Sequence, residues 1–316
     1  MNLRDLRYLV AVARHKHFGK AAEACFVSQP TLSTQIKKLE EFLDVTLIER
    51  SHRQALLTPA GEAVVGQAER VLRDVDELVG IAQAHRDPLG GDLRLGLIPT
   101  VAPYLLPKIL PSIRKALPKL NLKLSEGQTA SITKLLDDGE LDALILALPI
   151  EGEHVETKFL YREPFYFAAS RSHPKADRKS VTVDDLDDER VLLLEDGHCL
   201  RDQALAICKS HNATENTNFR ATSIETLRQM VAANVGITLM PALAVGPKSA
   251  AVRYIPFRAA RGTLHATRGT RVTRSADRAS PCEAPHRDIG IVWRKSAARA
   301  ALLARLAVVI AEACAD

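Results

Sequence analysis

Residues 18–43, FGKAAEACFVSQPTLSTQIKKLEEFL, read as two short helices joined by a tight turn. Lys20 to Cys25 makes the first, and the small side chains of Ala21, Ala22 and Ala24 permit close helix crossing. Phe26 and Val27 lie in the turn. Ser28 is a good N-cap, and Pro30 sits in the first turn of the second helix, where its missing N–H is no loss. Gln29, Thr31, Ser33, Thr34 and Gln35 crowd the start of that helix with hydrogen-bonding side chains, while Ile36, Leu39 and Leu43 form its buried side. Upstream, Leu3, Leu6, Leu9, Val10 and Ala13 recur at helical spacing. Crossed helices with a polar second member describe a helix-turn-helix, whose amide and hydroxyl groups suit base edges. Periodicity alone fits a capped helical hairpin equally well. The odds shift at 47–61, LIERSHRQALLTPAG, which alternates like a small hairpin carrying Arg50, His52 and Arg53, a basic wing for phosphates.

Beyond the wing, Thr58 and Pro59 cap a long helix. Its apolar positions Val64, Ala68, Val71, Val75, Leu78 and Ala82 alternate steps of four and three, the a/d seam of a coiled coil. A helix packed on its own domain is the bland alternative; the strict alternation favours a partner helix and hence a dimer, which suits two reading heads on spaced half-sites. The helix ends before the turn-rich linker 86–92, RDPLGGD. Expected domains are a DNA-binding domain at 1–58, a linker and dimerisation helix at 59–90, and an effector domain at 91–316.

The quoted stretch, continued through DVTLIERSHRQALLTPAG, resembles the winged helix-turn-helix of LysR-type transcriptional regulators. That resemblance implies that Gln29, Pro30, Thr31 and Ser33 face the major groove, while Arg50 and Arg53 hold the DNA backbone. It also implies that the partners are double-stranded promoter DNA, RNA polymerase and further copies of the chain, as a dimer or tetramer.

Composition narrows the class without deciding it. With 316 residues the chain has room for two or three domains, and no run approaches the ~18 apolar residues of a membrane span. The N-terminus reads as an amphipathic helix without a signal cleavage site, so a cytoplasmic protein is expected. Five cysteines (25, 199, 208, 282, 314) lack framework spacing, and no Cys/His cluster has zinc spacing, so neither a metal nor a cofactor is expected. The charge of +5 is uneven. Eleven basic and three acidic residues between Arg258 and Arg305 leave the rest of the chain at −3, so the DNA-binding case rests on pattern.

From Asp92 short apolar strands alternate with helices. Segments 92–98, 121–127, 141–148, 163–170, 191–197 and 236–241 read as strands, parallel by the α/β pattern, with helices between them. Effector domains of the resembled family look like two-lobed periplasmic binding proteins. The first lobe is accordingly expected at about 91–163 and 287–316, the second at about 164–257. Thr100 and Thr129 each follow a strand, where open α/β sheets bind ligands; for Thr129 alone a helix cap is the stronger reading. Residues 259–286 depart from the family. This Arg/Ala/Thr-rich stretch is either an insertion with non-specific DNA affinity or a frame-shifted stretch.

The segment 195–208, EDGHCLRDQALAIC, raises the chemical question. Cys199 falls in the first turn of a helix, where unpaired N–H groups and the dipole favour a thiolate. His198 and Arg201 add positive potential; Glu195, Asp196 and Asp202 oppose it. A small buried hydrophobe describes Cys25, Cys208 and Cys314, and describes Cys199 poorly. Nine helical residues place Cys199 and Cys208 roughly 13 Å apart along the axis and about 180° around it, beyond the ~7 Å that a disulfide allows. A bond between them would have to unwind the helix.

Segment 192–208, with 219–245 (FRATSIETLRQMVAANVGITLMPALAV), resembles the hydrogen-peroxide-sensing members of the family. This implies that Cys199 attacks the peroxide and Cys208 resolves the product into a disulfide. Thr100, Thr129, His198, Asp202 and Arg287 would form the peroxide site, and a thioredoxin- or glutaredoxin-type reductant would reset it. The competing readings are a metabolite-sensing regulator of the same family and a thiol peroxidase. The wing and linker helix argue for a regulator over an enzyme.

Overall fold

The computed structural model describes residues 1–50, 55–150, 152–209, 213–246, 251–259 and 283–315. Arg53, Cys282 and most of the Arg-rich stretch lie outside the described residues, as does the side chain of Arg50. The chain divides into two compact units, Met1–Pro88 and Leu89–Asp316.

In the first unit, α1 (Leu3–His15) opens on a capping box: the Asn2 side chain accepts from the Arg4 and Asp5 N–H groups, and Asp5 accepts from the Asn2 N–H. Helix α2 (Phe18–Ala24) starts two residues before the expected Lys20, because His17 Nδ1 accepts from the Gly19 N–H and caps it. Ala21 and Ala22 are buried at the crossing, whereas Ala24 is exposed. Ser28 caps α3 (Gln29–Leu43) by accepting from the Thr31 N–H. Strands β1 (Ile48–Arg50) and β2 (Ala55–Leu57) pair antiparallel, and α4 (Pro59–Arg86) follows. Leu9, Leu32, Ile36, Leu39 and Leu47 form the centre of the core.

The seam expected on α4 divides. Ala68 is buried in the core of its own unit, and Val64 and Val71 pack against that core. Heptad spacing matches a domain-packing stripe as well as a partner-facing one, and the first half of the helix uses it for the former. Val75 is half-buried, while Leu78 and Ala82 are exposed, with Val79 and Ile81 beside them.

The second unit contains β3 (Gly91–Leu97), α5 (Ala102–Ala116), β4 (Leu120–Glu126), α6 (Thr129–Asp137), β5 (Ala143–Leu148) and β6 (Val155–Ser170). Then come β7 (Arg190–Leu194), α7 (Cys199–Lys209), β8 (Thr214–Ala221), α8 (Ile224–Ala232), β9 (Thr238–Pro241), β10 (Val252–Pro256), β11 (His286–Arg294) and α9 (Ala300–Ala315). The main sheet runs β4–β3–β5–β11–β6–β10, with β9 also on β6. Strand β3 is parallel to both its neighbours, but β11 is antiparallel to β5 and β6, so the sheet is mixed and not uniformly parallel as expected. Beside it, β7 and β8 pair in parallel.

Two cores flank one continuous strand. Leu95, Leu97, Ile109, Ile145, Trp293 and Leu306 belong to the first; Phe165, Phe167, Leu192, Leu194, Val231 and Leu239 belong to the second. The strand expected at 163–170 begins at Val155, because its first half pairs with β11 while its second half pairs with β9 and β10. Pro164, which has no N–H, sits where the partners change. Among the described residues no helix is long and apolar enough to cross a membrane.

Gly61 tests the seating of α4. A Cβ there would lie 2.1 Å from the Leu47 carbonyl oxygen, which is backbone and already accepts from the Thr58 N–H. Gly61→Ala should destabilise the first unit by about 1–3 kcal/mol, the usual cost of overpacking. An unchanged urea midpoint would contradict that packing.

Candidate redox site and nucleic-acid interface

Strand β7 is buried along Val191–Leu194 and ends in a turn that delivers Cys199 to the start of α7. Gly197 makes the turn possible: its φ is +94°, and a Cβ would approach the Gln128 side-chain oxygen to 2.6 Å. Cys199 thereby opens a small cleft. Ile98–Thr100 form one wall beyond β3, Gln128 and Thr129 another beyond β4, and Gly197–Cys199 the third. Some 140 Å³ of empty space lies between them, part of it open solvent. The walls stand close together and leave no room for a drug-sized ligand, for which about 300–1,000 Å³ is usual.

The structure gathers Thr100, Thr129, His198 and Cys199 around that space. Neither threonine caps a helix. Thr129 is the first residue of α6, and its hydroxyl is buried without a hydrogen-bond partner among the described residues. Thr100 is buried and accepts from Arg287 twice, Nη1 to Oγ1 at 3.0 Å and Nη2 to the carbonyl at 3.1 Å. Arg287 therefore stands behind Thr100 and does not line the cleft, and its Nε donates to Glu163 at 2.7 Å. Asp202 is not among the lining residues; it lies exposed in the first turn of α7. The positive charge expected from Arg201 is spent elsewhere. Arg201 is buried, donates to both oxygens of Glu215 at 2.7 and 3.0 Å, and reaches Asp196 at 2.9 Å. Sequence reasoning missed Gln128 and Glu163. Gln128 directly precedes Thr129 in the strand-end segment already singled out, but no pattern marked Glu163.

The two thiols of α7 occupy different environments. Cys199 is half-buried and packs against the first core, whereas Cys208 is 3% exposed inside the second. Leu200, Ala204 and Cys208, spaced by four, form the strip that α7 inserts into that core. Burial pushes the Cys208 thiol up to about 11, with the Glu215 carboxylate adding to the effect. Both thiols are free.

At the other candidate surface, Gln29, Pro30 and Thr31 are exposed at the start of α3, and Ser33 is half-buried. Leu32, Ile36 and Leu39 fix the opposite face of the helix in the core. Polar side chains are thus exposed at one helix end, an arrangement that suits phosphate and base contacts. Arg50 ends β1 at the rim of the wing.

Residues 3–62 match the bacterial regulatory helix-turn-helix proteins of the lysR family, and residues 86–315 match the LysR substrate binding domain. The chain belongs to the LysR family. It is 52% identical over 258 residues to the DNA-binding transcriptional dual regulator OxyR of Escherichia coli K12, covering 81% of this chain and 85% of that one. A full-length OxyR variant from Pseudomonas aeruginosa superposes with a TM-score of 0.71 at 38% identity, covering 98% of this chain and 94% of the other. An OxyR in its oxidised form matches with a TM-score of 0.60 at 42% identity, covering 72% of this chain and 98% of that one. The architecture is that of a LysR regulator: a helical N-terminal domain with a winged reading head, followed by an α/β domain.

The raised Cys208 thiol makes this LysR chain's stability depend on alkaline pH. The folded state holds the proton more tightly than the unfolded state, so the stabilisation is complete below about pH 9 and is lost as pH rises toward 11. The loss amounts to roughly 3 kcal/mol. Urea unfolding of the reduced protein across that range should show it, and Cys208→Ala should remove that component.

Proposed function

We propose that this protein is a hydrogen-peroxide-sensing, DNA-binding transcriptional activator switched by a reversible Cys199–Cys208 disulfide. The observation that carries the reading is the placement of α7. Cys199 lines a small cleft, while Cys208, on the same helix, is buried in a different core.

The chemistry follows from these positions. The Cys199 thiolate attacks one peroxide oxygen; an S–O bond forms, the O–O bond breaks and hydroxide leaves. Sulfur gives up two electrons and the peroxide is reduced. The hydroxyl of Thr100 accepts from Arg287, so its own proton is available to the departing oxygen, and the partnerless Thr129 hydroxyl offers a second donor. His198 closes the cleft beside the sulfur. Cys208 then attacks the sulfenic sulfur and expels water, giving the disulfide. Its burial prevents this while α7 is intact. Once the helix unwinds, Cys208 enters water and its thiol returns to an ordinary, reactive range. A metabolite ligand is a poorer fit to the same space, given its size.

Gln29, Pro30, Thr31 and Ser33 read promoter half-sites in the major groove, with Arg50 and Arg53 on the backbone. Val75, Leu78 and Ala82, with the exposed Val79 and Ile81, offer the surface for a second copy of the chain. Oxidation shifts the geometry of the assembly on DNA and its engagement of RNA polymerase, and a thioredoxin- or glutaredoxin-type protein reverses it.

Stoichiometric peroxide added to the reduced full-length protein should yield a 199–208 cross-linked peptide in mass spectrometry. Cys199→Ser should retain DNA binding and lose the peroxide-dependent change in its footprint. Absence of the cross-link, or a response that survives Cys199→Ser, would sink the proposal.

A further inference from the structure

Glu163 lies where β6 passes from one core to the other. Arg287 is its cross-strand partner on β11, and the next residues of β6 pair with β9. The Glu163 side chain is 1% exposed and both its oxygens are used. Oε2 accepts from Arg287 Nε at 2.7 Å, and Oε1 accepts from the Leu243 N–H at 2.8 Å. Arg287 is 0% exposed and directs its two terminal nitrogens to the hydroxyl and carbonyl of Thr100. The result is a buried relay: the Leu243 N–H donates to Glu163, Glu163 holds Arg287, and Arg287 donates to Thr100 at the cleft wall.

A threonine hydroxyl that accepts from a guanidinium keeps one proton to donate, and the direction of that proton follows from where the guanidinium sits. The guanidinium is a planar fork with fixed donor directions, so anchoring Nε decides where its terminal nitrogens point. We infer that Glu163 is a positioning residue for peroxide reduction: it fixes Arg287 so that Thr100 turns its O–H toward the oxygen leaving Cys199. Glu163 touches neither the sulfur nor the cleft, and it acts through two other side chains. The inference rests on the peroxide reading above and adds a residue to it. Because Leu243 belongs to the turn after β9 and packs against the first core, the same carboxylate also ties the cleft wall to that turn.

The test compares two reactions of one thiol. Reduction of peroxide requires a donor for the leaving oxygen. Alkylation of Cys199 by iodoacetamide requires the thiolate and access, and it expels iodide without such a donor. In Glu163→Gln, formation of the Cys199–Cys208 disulfide by peroxide should slow by on the order of tenfold to a hundredfold, the usual effect of losing an orienting outer partner. Alkylation of Cys199 should stay within about twofold, because among the described residues Glu163 hydrogen-bonds only to Arg287 and the Leu243 N–H and does not line the cleft. The double variant Glu163→Met/Arg287→Met replaces the ion pair with apolar side chains of similar length, a swap that buried pairs commonly tolerate. It should melt near the wild type and show the same selective slowing.

Wild-type peroxide rates in either folded variant would overturn the inference. So would a parallel fall in peroxide and alkylation rates, which would reduce Glu163 to a structural role. A wild-type protein that forms no 199–208 disulfide would overturn the peroxide reading itself, and this inference with it.

Discussion

One strand holds the sensor together. Strand β6 runs sixteen residues without a break, pairing with β11 along its first half and with β9 and β10 along its second. Two separate cores are built on it, and the cleft between strand ends exists because those cores are close but not merged. Cys199 packs on one core while the rest of its helix is anchored in the other. The position where β6 changes partners is also where the buried Glu163–Arg287 pair sits. A buried pair of this kind is costly to desolvate and contributes little net stability, but it demands a defined geometry. Here that geometry extends to the hydroxyl of Thr100.

The second constraint is the helix. Residues nine apart on an α-helix lie roughly 13 Å from each other along the axis and face opposite ways. Pairing Cys199 with Cys208 requires α7 to unwind and to withdraw Leu200, Ala204 and Cys208 from the second core. Fully burying one leucine is worth about 1.5–3 kcal/mol, so the whole strip contributes about 4 kcal/mol. The Arg201–Glu215 pair, with Asp196 against the same guanidinium, must also be released or rebuilt. Two states a few kcal/mol apart, one of them captured by a covalent bond, are what a switch needs. The same cost acts on the way back. For a two-electron couple 30 mV corresponds to about 1.4 kcal/mol, so lost packing of about 4 kcal/mol raises the disulfide's potential by about 90 mV. That moves it away from inert structural disulfides toward those that cellular thiol systems reduce.

Local features of this chain were legible in its sequence, and long-range partners were not. The helix-turn-helix could be read because its determinants are adjacent: the Ser28 cap, Pro30 in the first turn, and the Leu39 side of α3. The separation of the cysteines followed from helical pitch alone. Thr129 was weighed as a helix cap, and the structure gives it no capping bond, because Gln128 precedes the helix and Thr129 begins it. Arg287, which fixes Thr100, lies 187 residues away from it, and only family resemblance drew attention to it. Glu163 gave no signal, being an ordinary strand acid whose partner is 124 residues distant. Strand β8 escaped notice because it is largely polar and half-exposed. On α4 the alternation of threes and fours could not separate a stripe spent within the domain from one left for a partner. Ala68 took the first course and Leu78 the second.

The same features argue for a sensor over a peroxide-consuming enzyme, beyond the presence of a DNA-binding domain. A peroxidase gains from a resolving thiol that stands ready, because every cycle waits on resolution. Cys208, the resolving thiol of the proposed switch, is buried, its thiol pushed up to about 11, and it would be released only when a helix leaves its core. In the proposed switch that arrangement would tie each oxidation to one structural change and each reduction to its reversal, so that refolding would limit turnover. A regulator loses nothing by this, since one oxidation per chain carries the whole signal. The step that would hinder an enzyme is the step that transmits information here.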